Sequence, residues 1–498
     1  MNNSRQIKYG AIISYLSIAL NLIAGLVYTP WMIKHIGQSH YGLYTLATSL
    51  ITLFLIDFGL SSATSRYLST FHAEGNEEKA SKYLGAIYKL YLAISAVILV
   101  ALIVVYFLLG AIYTKLTPDE LSQFRMIYII SASFSIINFP FITQNGILTA
   151  YEKFIPLKLA DIIYRLLIVI ITAISLILGG GLYALVTVHA IVGLIVIAYK
   201  FVAIRKFVPL RADFSKTDKT VYKDIFSFSS WVMIATLAQR LVFNITPTIL
   251  GITTGSAAIA VFGIVTTIES NTFMVTGAIN GLFMPKISRI YAGNDNDSDI
   301  MPLMINVGRF QFALMSLIVV VFGLIGKEFI LLWMGEDYIE AYIGILLVII
   351  PGLIFNSLQI ANTALTVKNK VKTQAVISII VGGVNIVLSL IFSTLFGVIG
   401  SCLSIFVAYT IRNIAYLIAH RKYTGVNIFQ FIRKCYLRLL IPLIIALVTG
   451  SIINHCFATT GWIALIAKGG IISIIYIVSA YCLGVFASNK KANESSLS

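Results

Sequence analysis

Residues 85–110 read GAIYKLYLAISAVILVALIVVYFLLG, an apolar stretch with one charge, Lys89. About 20 helical residues cross the ~30 Å hydrocarbon core of a bilayer. No alternation of period two runs through the stretch, so it does not read as a membrane-barrel strand. In hydrocarbon only helices and closed barrels satisfy every backbone group, which leaves the helix. Comparable runs fall at 11–33, 41–64, 125–149, 157–178, 182–203, 225–250, 257–284, 304–325, 340–366, 373–393, 395–418, 437–455 and 461–486. The expected fold is all-α: a polytopic membrane protein with about 14 transmembrane helices.

Composition supports this reading. Of 498 residues, 58% are hydrophobic and 11% charged, and the mean hydropathy is +0.92. A soluble domain carries about 25% charged residues, so a soluble fold of this size could not cover its surface. The net charge of +16 would suggest nucleic acid in a soluble protein. Here its placement gives another origin. With a cytoplasmic N-terminus, the inner segments hold 26 of the 36 Lys and Arg residues, and the outer loops keep Lys34, Lys115, Lys327 and Lys468. Basic residues favour the cytoplasmic side, so both termini are expected there. The outer loop before the tenth run is acidic, with Glu328, Glu336, Asp337 and Glu340. No nucleic-acid partner is expected. Cys402, Cys435, Cys456 and Cys482 lack metal-ligand spacing and read as small hydrophobes. The stretch after Arg5 and Lys8 is too long for a signal core and has no small-residue cleavage site, so no cleavable signal peptide is expected.

The chain also repeats itself. Residues 145–153, NGILTAYEK, and 362–370, NTALTVKNK, share N-x-x-L-T-x-x-x-K at a shift of 217. The glycine turns at 179–182 and 397–400 follow in register, and Arg66-Tyr67 parallels Arg289-Ile290-Tyr291. Two six-helix lobes in the same orientation are expected, related by an axis along the membrane normal; the other reading is chance similarity between apolar segments. The expected division is an N-lobe at 1–203, a cytoplasmic linker at 204–224, a C-lobe at 225–420, two further helices in 421–486 and a cytoplasmic tail at 487–498. The two further helices are either a lipid-facing addition or a route for substrate tails.

Several stretches carry a family likeness: Tyr28-Thr29-Pro30, Ile36-Gly37, Tyr41-Gly42-Leu43-Tyr44, Asp57-Phe58-Gly59-Leu60, Arg66-Tyr67 and Glu74-Gly75-Asn76. With the twelve-plus-two helix plan, they resemble the polysaccharide-export branch of the multidrug/oligosaccharidyl-lipid/polysaccharide (MOP) exporter superfamily, in particular the Wzx-type O-antigen flippases. Asp57-Phe58-Gly59 is a membrane-helix element here, since no glycine-rich loop, catalytic loop or soluble lobe accompanies it. The resemblance implies a non-enzymatic inner-membrane flippase that moves an undecaprenyl-pyrophosphate-linked oligosaccharide by alternating access. It implies no cofactor beyond coupling to protons or sodium. Implied partners are the lipid-linked oligosaccharide, membrane lipids, and a polysaccharide polymerase with chain-length proteins, around a monomeric transporter.

Ionisable residues deep in a membrane helix are costly and mark cavities or partners. Arg240, flanked by Gln239 and Asn244, is placed deep in the seventh run; it either holds a phosphate in bidentate fashion or pairs with Glu269. Asp57 either couples transport to an ion or pairs with an arginine such as Arg165. Arg165 either lines a cavity or is neutralised by Asp161 at i−4. Arg66 and Arg289 either bind phosphate at the cytoplasmic entrance or anchor the helices. Glu269 is structural or titrates in turnover, His189 is a hydrogen-bonded core group or a proton relay, and Arg412 has no assigned role. Pro30 with Pro247, and Pro140 with Pro351, pair across the repeat as kinks. The excess of Arg165, Arg240 and Arg412 over Asp57 and Glu269 favours an anionic cargo. Two other readings stay open: a multidrug exporter of the same superfamily, and a membrane-embedded polysaccharide polymerase or glycosyltransferase, against which the short outer loops argue.

Overall fold

The 85–110 stretch lies inside one long helix, Glu77–Ile112. In a computed structural model the chain is described at residues 3–55, 57–215, 221–223, 225, 237, 240, 242–277, 283, 287, 290–291, 300–368, 370–456 and 461–483. All regular structure among these residues is helical. Contacts divide the chain into two compact units, Met1–Gly263 and Ile264–Ser498.

The first unit begins with α1 (Asn3–Ile36), α2 (Gln38–Phe54), α3 (Leu60–Ala73) and α4 (Glu77–Ile112). It continues with α5 (Pro118–Asn138), α6 (Thr143–Ala150), α7 (Phe154–Ile177), α8 (Leu182–Phe207), α9 (Thr246–Thr253) and the start of α10 (Ser256–Gly277). Starts follow local chemistry. The Asn76 side chain accepts from the Lys79 amide at 3.0 Å to open α4. Thr117 and Glu120 form a reciprocal capping box that opens α5. A 3₁₀ turn at Phe139–Ile142, containing Pro140, separates α5 from α6. Helix α1 packs on α7, α7 on α8, α3 on α6, and α2 on α5 and α9.

After α8 the described part of the expected linker, 208–215, lies back on α4 as a strap. The Asp213 amide donates to the Ser81 carbonyl at 3.0 Å, and Lys89 Nζ donates to the Ser215 carbonyl at 2.7 Å. A Cβ on Gly85 would fall 1.8 Å from the Asp213 carbonyl oxygen, so only glycine allows this approach. The Ser215 amide and hydroxyl, bonded to the Asp213 carboxylate, hold its pKa below the usual aspartate value.

The second unit is built on α11 (Ile300–Met334). There follow α12 (Glu340–Ile349), α13 (Gly352–Ser357), α14 (Gln359–Val367), α15 (Val371–Thr424), α16 (Ile428–Cys435), α17 (Leu437–Cys456) and α18 (Trp462–Cys482). The break between α12 and α13 falls at Pro351, whose carbonyl accepts from Asn413 Nδ2 at 2.8 Å. Helix α15 is two helices joined at Gly397, which has φ 58° and ψ −131°. Helices α17 and α18 pack on each other and on α11. Lys468 in α18 and Glu328 in α11 form an ion pair at 2.9 Å, Ser316 and Tyr476 share a hydrogen bond at 2.6 Å, and Asn454 donates to the Leu324 carbonyl at 3.1 Å. The opposite faces are apolar and bare, as for helices bathed in lipid: Ile463 is 88% exposed and Ile466 69%.

One expectation needs correction. Lys468, assigned to an outer loop, is a buried residue of α18. The expected count of about fourteen spans is a separate matter: among the described residues, eleven helices are long and apolar enough to cross a membrane. One of the eleven is α15, which merges the expected 373–393 and 395–418 helices. The 225–250 run lies largely outside the described residues. The 41–64 run is broken: α2 ends at Phe54 and α3 starts at Leu60, so neither alone is long enough.

Candidate functional site

That break is the first candidate site, and it lies wholly within the first unit. The sequence places Asp57 inside a helix; the structure places it between two. Leu55 leaves α2 with ψ 59°, and Phe58 and Gly59 both take positive φ, 53° and 69°, which turns the chain into α3. Such a break frees carbonyls at the end of α2 and amides at the start of α3. Asp57 serves the amides. Its Oδ2 accepts from the Ser61 amide at 3.1 Å, and its Oδ1 accepts from the Tyr91 hydroxyl. Arg240 serves the carbonyls, with Nη1 donating to Thr52 O and, at 2.8 Å, to Leu55 O.

Arg240 is also the charged neighbour of Asp57. Two residues singled out from the sequence therefore meet, though in neither expected pairing. Among the described residues Arg240 makes no hydrogen bond through Nε or Nη2. The Asn244 amide donates to the Arg240 carbonyl at 3.0 Å, so the two residues sit one turn apart. Gln239 and Arg289 lie outside the described residues.

Arg165 belongs to a second cluster in the same unit. Its expected i−4 partner Asp161 is taken by Lys158 at 3.4 Å. Arg165 faces aromatic residues instead, with Tyr28, Tyr44 and Tyr164 as its electrostatic neighbours. Its buried Nε has no hydrogen-bond partner. His189 lies beside it and shares a 3.2 Å hydrogen bond with the Tyr44 hydroxyl, which supports the core-group reading of that histidine. Arg66 stands on the exposed side of α3, 5.8 Å from the Tyr67 ring.

In the second unit Glu269 is 8% exposed and accepts from the Ser270 hydroxyl at 3.3 Å. Its charged neighbour is Arg412, a residue the sequence left without a role. The Arg412 guanidinium lies over the Tyr409 ring at 3.6 Å and the Phe355 ring at 3.9 Å. Its Nε and Nη2 are buried with no hydrogen-bond partner. Cations held by ring faces are stabilised without being neutralised. The signal for this pair was available, since both residues are deep charges of one expected lobe. Depth counted from helix ends did not distinguish Arg412 from Arg240 as the partner of Glu269.

Comparison with known proteins agrees with this architecture. The profile of a family described as polysaccharide biosynthesis protein matches residues 7–291. An uncharacterized membrane protein of Bacillus subtilis (strain 168), EpsK, is 22% identical over 481 residues, covering 91% of each chain. Among solved structures, the lipid II flippase MurJ in an inward closed conformation superposes with a TM-score of 0.74 at 15% identity, over 95% of this chain and 98% of that one. An inward-facing multidrug resistance transporter of the MATE family in the MOP superfamily gives 0.69 at 13% identity, over 85% and 98%. At these identities the likeness is one of fold. The chain thus has the fold of MOP-superfamily transporters and is a multi-pass membrane protein.

Proposed function

The chain belongs to the polysaccharide biosynthesis protein family, and from that premise we propose that it is a flippase. Its cargo is an undecaprenyl-pyrophosphate-linked oligosaccharide, an O-antigen or other surface-polysaccharide repeat unit. It moves this cargo across the cytoplasmic membrane of a bacterium, with both termini cytoplasmic. The observation that carries the reading is the family match, which covers more than half of the chain. The MOP-superfamily fold supports it, since a solved flippase and a solved exporter share that fold.

In this reading the lobes 1–203 and 225–420 alternate access to a cavity, and the polyprenyl tail stays in lipid. Arg240 offers Nε and Nη2 to a phosphate while Nη1 stays on the α2 carbonyls. Asn244, Gln239 and Arg165 complete the substrate contacts, and Arg66 and Arg289 receive the pyrophosphate on the cytoplasmic side. Asp57 and Glu269 are the proton or sodium couplers. Each stands beside an arginine, so a cation reaching the carboxylate changes the charge that its neighbour presents to the cargo. No covalent step is needed. The transporter works as a monomer and passes its cargo to a polymerase with its chain-length proteins.

Membrane lipids are the remaining partner. From 341 to 493 the chain contains no Asp or Glu, while Lys368, Lys370, Lys372, Arg421, Lys422, Arg433, Lys434 and Arg438 gather on the side read as cytoplasmic. In α16 Phe429 is exposed beside Arg433 and Lys434, an arrangement that suits an anionic lipid surface.

The test is deletion scored by leaflet. Lipid-linked repeat units should accumulate in the cytoplasmic leaflet, with surface glycan lost. Unchanged surface glycan together with raised drug sensitivity would instead establish the multidrug reading, which the MATE-like fold also supports.

A further inference from the structure

Three loops assigned to the outer side converge within the first unit. Gly37 turns α1 into α2, with Ser39 in the first turn of α2; Tyr113 to Thr117 lead into α5; Thr254 and Gly255 turn α9 into α10, which opens on Ser256. Glu120 Oε1 accepts from the Ser39 hydroxyl at 2.5 Å and from the Ser256 hydroxyl at 2.5 Å, and the two hydroxyl oxygens are 3.2 Å apart. The other oxygen, Oε2, accepts from the Thr117 amide at 2.9 Å.

Ser39 and Ser256 are 217 residues apart, which is the shift of the N-x-x-L-T-x-x-x-K repeat. They are the same position in the two copies, and the carboxylate ties them together. The backbones close in around them. A Cβ on Gly42 would fall 2.0 Å from the Ser256 carbonyl oxygen, and one on Gly251 would fall 2.9 Å from the Tyr113 ring. A bulkier residue at 42 would force the two hairpins apart.

The geometry points to a latch: Ser39, Ser256 and Glu120 clamp the outer ends of two repeat-related hairpins, and the clamp must open and re-form in each transport cycle. This rests on the alternating-access reading above. A carboxylate with two hydroxyl donors suits the role, because charge-assisted hydrogen bonds hold firmly and water can replace both donors once the hairpins separate. Glu120 is therefore a positioning residue that acts on the movement and makes no contact with cargo.

The test is S39C/S256C in full-length protein in native membranes, with the exposed Cys456 and Cys482 replaced by Ser and the buried Cys402 and Cys435 kept. The oxygen separation is close enough for a disulfide after small side-chain rotations. Oxidation should cross-link the pair, seen as a cross-link-dependent mobility shift, and should stop glycan export; reduction should restore it. Export that continues through the cross-link overturns the latch as a moving part, and a pair that never cross-links overturns the contact. Cross-linking needs no transport, so it still forms if the flippase reading itself fails on the leaflet test.

A second measurement covers a cysteine variant that does not fold. Hydrogen exchange of amides 251–259 should speed up about tenfold in S39A/S256A and in E120A. In T117A, which weakens the helix cap and leaves the serine–carboxylate bonds, it should not change. Equal acceleration in T117A would make the cluster a helix cap only.

Discussion

Lys468→Met removes the cation from a pair that holds α18 to α11. The Lys468 side chain is 5% exposed, its Nζ is 2.9 Å from Glu328 Oε2, and Glu328 is 18% exposed. Glu328 Oε1 is buried with no other partner. Removing the lysine therefore strands a buried carboxylate, at a cost of about 3–5 kcal/mol. Glu328→Gln strands the ammonium at a similar cost. The double variant strands neither charge, and it should return to within about 1–3 kcal/mol of the parent, the residual being the glutamine amide left without a partner. The singles are thus strongly non-additive, with a coupling of at least about 3 kcal/mol. Unfolding in mixed micelles by tryptophan fluorescence is the assay. Trp333 stacks on Phe329 at 5.2 Å and Trp462 meets the same ring edge-on at 6.3 Å, so both report on this junction. Additive singles costing under about 1 kcal/mol each would show a solvated pair and refute the burial argument.

Four further outcomes follow from the same contacts. Arg240→Ala should lower glycan export about tenfold or more, and Arg240→Lys should recover only part of it, since lysine lacks the bidentate edge; full export in the Ala variant, at normal expression, removes Arg240 from the site. Asp57→Asn keeps one oxygen to accept from the Ser61 amide and can donate its Nδ2 to the Tyr91 hydroxyl, but loses the charge, so it should leave expression and thermal stability near normal and abolish export; retained export would make Asp57 a structural cap only. Gly85→Ala should lift the 208–215 strap from α4 and raise protease cleavage there several-fold, and an unchanged cleavage rate would contradict the close approach at Asp213. Strap protection should also depend on pH. The folded Asp213 pKa is lowered, so its contribution is fully present above the unfolded value of about 3.9 and fades as pH falls through the lower folded value; protection that fails already at pH 6 would contradict this.

Hydropathy made most of the helices legible, because lipid demands length and apolarity and both are readable residue by residue. It did not reveal the break at 55–59. Leu55-Ile56-Asp57-Phe58-Gly59-Leu60 is nearly as apolar as the helices around it and contains no proline. Helix α2 ends where Leu55 leaves it with ψ 59°, and the positive φ of Phe58 and Gly59 turns the chain into α3; composition does not report backbone angles. Gly397 was legible by contrast, because a glycine turn in repeat register marks itself. The candidate charges were found and their partners were not. Asp161 sits at i−4 from Arg165, yet Lys158 takes it and Arg165 turns to tyrosines on other helices. Local spacing proposes a pair, and tertiary packing chooses among the available ones. Lys468 was misplaced for a related reason: its burial depends on Glu328, 140 residues earlier.

The partners that packing chose bear on the cargo. Arg240 rests on two carbonyls, Arg165 among three tyrosines, and Arg412 between a tyrosine and a phenylalanine. Carbonyls and ring faces stabilise a cation without cancelling it, so what offsets these charges is the nearby carboxylate, Asp57 for Arg240 and Glu269 for Arg412. A carboxylate in direct contact would have consumed the charge. At an effective dielectric of about 20, an unneutralised guanidinium attracts a unit negative charge ~6 Å away by about 3 kcal/mol, roughly a hundredfold in affinity per arginine. A cationic drug would be repelled by a similar amount. Asp57 and Glu269 each offset one arginine only while ionised, so in the proposed flippase cycle protonation or sodium binding at either carboxylate would strengthen the hold on an anionic headgroup, and release of that cation would weaken it. The break between α2 and α3 supplies both halves of this arrangement in the first unit. It frees the carbonyls that hold Arg240, and it frees the amide that fixes Asp57 beside Arg240.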